Sequence, residues 1–318
     1  MENKKALASN SGESIVNVAQ EAGTHVKHLK NFWTKFNNDW SFSLSSALAY
    51  SLLMAVFPFF IALIALLGVF LDSLNPQGLN SLVQQTAKIF PSATSTQISS
   101  ILNAARTQLA RQTGILWFVA VVLAIFNGSR LFILMEKCFD IVYHVRPRTF
   151  IAQNLVAIGM LLLFIVLIPI LVFAGTAPAT IFPLLQKTPL GPLTGGLLFT
   201  IVDHLAGLVI AYILFQAIYI IVPNQNISFR FSWLGAVIAA VLLQLYIVFF
   251  PLYVSRFLTG IVAAIGSAVI LLVFFYYFAV ILLLGAEANA FFSLGIQPSP
   301  HDLATLINIS SSEEEKAS

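Results

Sequence analysis

The residues able to do chemistry are few here, and each stands inside or beside a long apolar run. Residues 266–292 read GSAVILLVFFYYFAVILLLGAEANAFF, an apolar stretch whose only carboxylate is Glu287, near its end. An acid at that depth calls for a positive or hydrogen-bonding partner, because ionised groups inside hydrocarbon are costly and pair with one another. Arg130, followed by LFILMEKCFDIVY, is the candidate cation, with Tyr50 beside the two as a hydroxyl. A second constellation, Asp203–His204, lies about two turns into another apolar run. Histidine titrates near neutrality, so His204 is the candidate pH-responsive group. The chemistry available to such pairs is charge compensation along a solute path, or a lock between helices.

The elements that must position these groups follow from composition. The chain is 58% hydrophobic and 9% charged, with mean hydropathy +0.90. A water-soluble domain carries roughly a quarter of its residues charged, so the expectation is a polytopic membrane protein. The fold class expected is all-α, with six transmembrane helices, an N-terminal interfacial amphipathic helix and a helical outer segment between spans one and two. The formal net charge of +3 is modest, and the basic residues fall between apolar runs. Positive-inside topology accounts for them better than nucleic acid does. The single cysteine, Cys138, excludes an intrachain disulfide.

In order, residues 1–25 read as a disordered N-terminus and 26–46 as a cytoplasmic amphipathic helix. Val26, Leu29, Trp33, Phe36 and Trp40 recur at helical spacing with Lys27, Lys30 and Lys35 between them. That helix suits either an anionic leaflet or the cytoplasmic face of the bundle. Residues 47–293 form the membrane domain, with spans at about 47–71, 115–143, 149–174, 197–222, 231–254 and 266–292. Pro58 and Pro169 remove backbone hydrogen bonds inside spans one and three and are expected to kink them. Gly285, with Ala286, Ala288 and Ala290, permits close helix contact, within the chain or between copies in a homo-oligomer. Asn127, Arg130, Lys137 and His144 fall on one stripe of span two, expected to face the interior. Glu136 and Asp140 lie on an adjacent face, offsetting Lys137. Residues 294–318 are expected to form a cytoplasmic acidic tail, ending SSSEEEKAS.

Counting Lys and Arg gives five in the N-terminal segment, four from Arg130 to Arg148, and five on the opposite face. Six spans then put both termini in the cytoplasm. Glu287, Arg130 and Tyr50 fall in the inner half; Asp203 and His204 fall toward the outside. No enzymatic chemistry is indicated: P-loop, GxGxxG, GxSxG and CxxC patterns are absent, and the five histidines show no HxHxD spacing. No cofactor and no metal site is expected, and the partners expected are membrane lipids and a small solute, with no nucleic acid.

Several segments together resemble a known family: LAYSLLMAVFP in span one, FNGSRLFILMEKCFDIVY running to RPR, IVPNQNISFRFSWLGAVIAAVLLQ, and LLGAEANAF closing span six. The ordered set, from about Ser43 to Phe292, is similar to the YihY/virulence factor BrkB family of bacterial inner-membrane proteins, formerly labelled ribonuclease BN. The resemblance implies six spans with cytoplasmic ends and a plasma-membrane location; it supplies no mechanism. A family pattern YxxxYG between spans five and six is met here by LYVSRFLTGIVAAIG, which lacks the second tyrosine. A nuclease would need clustered metal ligands and an RNA-binding surface, and neither is present. Two readings stand: passage or handling of a small or lipid-like solute through a polar seam, or a non-transporting envelope scaffold.

Overall fold

The computed structural model describes residues 27–71, 99–100, 103, 115–164, 166–167, 196–258 and 267–298. Residues 1–25, Pro169, most of the segment between spans one and two, and the acidic tail from 299 lie outside them. Every described element is a helix or a connection: α1 (27–38), α2 (Ser41–Leu71), α3 (Ile115–Val142), α4 (Phe150–Phe164), α5 (Gly196–Ile221), α6 (Phe229–Tyr253) and α7 (Ser267–Ala288). Two π-helical turns, Val254–Leu258 and Asn289–Ser293, extend α6 and α7. α2 continues as helix through Pro58. Among the described residues, stretches of α5, α6 and α7 are long and apolar enough to cross a membrane.

α7 is the hub, packing against α2, α3 and α6, while α2 pairs with α3 and α5 with α6. Its inward residues Ala279, Leu282, Leu283 and Ala286 are completely buried. Its small residues set how closely α6 approaches. A Cβ built on Gly235 of α6 would collide with the Gly285 carbonyl, and one on Gly285 with the Tyr219 hydroxyl. Gly285 therefore serves a contact inside one chain. The Tyr219 hydroxyl donates to the Leu282 carbonyl at 2.8 Å, tying α5 to the same crossing.

The helix ends are set by local chemistry. α1 stops at the turn Asp39–Trp40, where Trp40 takes a left-handed φ of 55°, and α2 starts at Ser41, earlier than the expected boundary at 47. α3 ends in a Schellman motif. The Val145 amide donates to the Asp140 carbonyl at 2.9 Å and the His144 amide to Ile141 at 3.2 Å. His144 sits at the left-handed position, φ 52°, that glycine normally takes. Pro251 cannot donate within α6, and the helix widens into its π turn three residues later.

The start of α2, the ends of α3, α5 and α7, and the start of α6 converge on one end of the bundle. Ser41 and Lys35 reach Glu287, Lys35 reaches the Val142 carbonyl, and Arg148 binds the Val222 and Pro223 carbonyls at 3.0 Å each. Gln216 of α5 donates to Ser232 of α6 at 2.6 Å. Successive helices therefore run in alternating directions.

Candidate functional site

That shared end holds the charged groups. Lys35 lies three residues before the end of α1, and Phe32 and Phe36 on the same face are buried against the bundle. Phe32 stacks on Phe292 at 5.4 Å and meets Phe291 edge-on at 5.8 Å. This packing carries the Lys35 ammonium into the core, where the residue is 0% exposed. It donates to Asp39 Oδ2 at 2.6 Å, to Glu287 Oε2 at 2.6 Å and to the Val142 carbonyl at 2.8 Å. An ammonium has three protons to donate, and all three are used.

The acids are as closely enclosed. Glu287 is 0% exposed and accepts at its other oxygen from the Ser41 hydroxyl, 2.8 Å away. Asp39 is 2% exposed, and its free oxygen Oδ1 faces His144 Nε2 at 3.3 Å. Beneath them Asn289, fully buried in the π turn after α7, accepts the Gly235 amide proton at 2.6 Å. The buried Tyr143 hydroxyl sits beside Asn289 without a well-aligned hydrogen bond. A second ion pair lies nearby, where Arg148, in the link after α3, meets Glu136 of α3 at 2.9 Å. Asp140, one turn on from Glu136, is also buried. Removing ions from water is costly, and only close pairing with complete hydrogen bonding offsets it. In the Lys35 cluster three of the four carboxylate oxygens accept from Lys35 or Ser41, and the fourth, Asp39 Oδ1, faces His144. Among the described residues no group of three His, Cys, Asp or Glu is placed to hold a metal.

Glu287 is thus a buried, paired acid, but its cation is Lys35 and not Arg130. Arg130 is exposed, its guanidinium 4.3 Å above the Phe126 ring of its own helix. Most of the stripe expected to face inward does not: Lys137 is also exposed and Asn127 bonds back to the Leu123 carbonyl, while His144, past the end of α3, reaches buried Asp39. The physical reason is the adjacent face of α3. Gly128, Phe132, Met135 and Phe139 supply a better packing surface and carry Glu136 and Asp140 inward with them. Tyr50, 59% exposed, does not join Glu287. His204 is exposed on α5, and the side chain of Asp203 lies outside the described residues.

Sequence reasoning missed Lys35, Asp39, Ser41 and His144 as one site. Lys35 and Asp39 at i and i+4 were a visible signal, since that spacing places opposite charges together on a helix. Nothing local pointed to Glu287, which stands 252 positions away.

Comparison with known proteins places the chain among membrane proteins. The chain is 26% identical over 272 residues to the ribonuclease-like protein YfkH of Bacillus subtilis, covering 83% of this chain and 94% of that one. It is 25% identical over 179 residues to a UPF0761 membrane protein of Vibrio cholerae, covering 56% of each. That match spans about half the length of the Vibrio protein. No solved structure matches the chain. The family model described as virulence factor BrkB matches residues 32–304, which include Lys35, Asp39, His144 and Glu287, and the chain belongs to that family of membrane proteins.

Proposed function

We propose that this is a multi-pass inner-membrane protein with six spans and both termini cytoplasmic, and that it passes or handles a small or lipid-like solute without covalent chemistry. Its inner end is closed by α1, which acts as a latch. The observation that carries this reading is the reach of one ammonium: Lys35, on a short helix ahead of the first long apolar run, binds Glu287 on the last. A helix bundle that needed only to stand in a membrane has no requirement for a buried cation there, since apolar packing of similar volume serves stability as well or better. Alternating access requires that one end of the path be closed while the other is open.

One observation favours the rival, a non-transporting scaffold: every proton of Lys35 is already engaged within the chain, leaving none for a solute. Flux separates the two. Compounds that copurify in native-lipid particles are identified by mass spectrometry and then assayed in proteoliposomes. Solute handling predicts that one of them crosses faster than in protein-free vesicles and that Lys35→Met changes its rate. Equal rates in empty, wild-type and variant vesicles overturn the proposal in favour of the scaffold.

A further inference from the structure

The Lys35 cluster lacks a positive charge. One ammonium faces two carboxylates, all three groups are buried, and among the described residues no other Lys or Arg is paired with Asp39 or Glu287. Three of the four carboxylate oxygens already accept protons from Lys35 or Ser41. The fourth, Asp39 Oδ1, faces His144 Nε2, whose side chain is 37% exposed and so open to water on its other side. His144 is aimed there by an unfavourable backbone. It holds a left-handed φ of 52° at the helix-ending position where glycine is usual. A residue bearing a Cβ is uncommon in that conformation. Strain of this kind persists where surrounding structure over-determines it and marks sites of function.

We infer that His144 is a proton-binding site, and that a proton held there completes the charge balance of the cluster and fastens α1 to the bundle. This deepens the latch reading and rests on it. The groups facing the site are Lys35 on α1, Asp39 in the following turn, Ser41 on α2, the Val142 carbonyl and Tyr143 on α3, and Glu287 and Asn289 at the end of α7. With an imidazolium present, two cations meet two carboxylates and Asp39 receives a charge-assisted hydrogen bond. With neutral imidazole, one negative charge stays buried in excess. An imidazolium at His144 therefore favours the docked state. Docking is favoured as pH falls through the histidine range and is lost as pH rises through it.

The test uses the full chain in nanodiscs of phosphatidylethanolamine and phosphatidylglycerol. Spin labels go at the exposed positions Leu29 (L29C) and Gln297 (Q297C), with Cys138 buried and left in place. Pulsed electron–electron resonance then reads the separation of α1 from the end of α7. At pH 5.5 one short distance is expected, and at pH 8.5 a second, longer population. His144→Lys, with its fixed charge, keeps the short distance at both values. His144→Gly relieves the backbone strain and so, at pH 8.5, melts no lower than the parent protein, and its distance shows no pH response. A pH response that survives in His144→Gly overturns the assignment. So does a response to sodium replaced by choline at fixed pH with none to pH, which assigns the site to a metal cation. Distances that ignore pH overturn proton control but leave the latch standing, provided Lys35→Met lengthens them. If Lys35→Met leaves them short, the latch reading itself fails.

Discussion

At Lys35 the count of charges decides what substitutions do. Lys35→Met leaves Asp39 and Glu287 buried together with no cation between them. Breaking a buried pair from one side costs about 3–5 kcal/mol, because the remaining charge is uncompensated. Glu287→Gln is different. The amide keeps the shape, its oxygen still accepts from Lys35, and the Ser41 hydroxyl turns to accept from its nitrogen. What remains is one ammonium against one carboxylate, a balanced pair. Glu287→Gln should therefore change stability by no more than about 1 kcal/mol, on the scale of a single hydrogen bond. Thermal melting of the two variants in one detergent checks the order, and a Glu287→Gln protein that melts below Lys35→Met contradicts the two-to-one charge count. A Glu287→Gln protein that is fully stable but loses flux identifies the acid as a working group in the path.

Between elements, the crossing of α6 and α7 is the most sterically constrained contact in the described bundle, and it makes a sharp comparison of glycines. At Gly235 and Gly285 an added methyl meets backbone or a buried hydroxyl. Neither helix can yield without moving the Asn289 and Tyr219 hydrogen bonds. Each Gly→Ala change there should cost about 1–3 kcal/mol, the range for overpacking a filled interior. Gly159 of α4 has open space around its Cα, so Gly159→Ala should be neutral or stabilising by up to about 1 kcal/mol through helix propensity. Denaturant titration of the three variants decides it, and equal effects at all three positions contradict a close α6–α7 approach. This crossing was partly legible in advance, because GAEANA announces small residues on a helix face and the close contact follows. The inward face of α3 was not. Its charged stripe and its packing face lie side by side, and the choice between them depended on Leu161 of α4, whose side chain fills the gap over Gly128. Lys35 was misread for a related reason. On its own helix it resembles the polar side of an interfacial segment, and only the distant Glu287 makes burial tolerable.

At the scale of the whole molecule, composition announced the membrane class, and long apolar runs separated by more polar links announced the helices, since both follow from burial and length alone. The charge cluster belongs to neither pattern; it arises where α1 folds back across the ends of α2, α3 and α7. Removing residues 1–38 tests what that return contributes. The truncation deletes the Lys35 ammonium and the ring contacts of Phe32 with Phe291 and Phe292, but it leaves Glu287 within the bundle. If α1 were only a lid of apolar surface, the loss would come from those rings, and neutralising Glu287 afterwards would add nothing. If α1 is the counter-ion of α7, the truncated chain holds an uncompensated carboxylate, and Glu287→Gln in that background should recover about 1–3 kcal/mol, the penalty of an unsatisfied buried group. The same substitution in the full chain recovers nothing. The difference between the two backgrounds, read as melting temperatures of four proteins, is the coupling between α1 and Glu287, and a value of zero reduces α1 to packing.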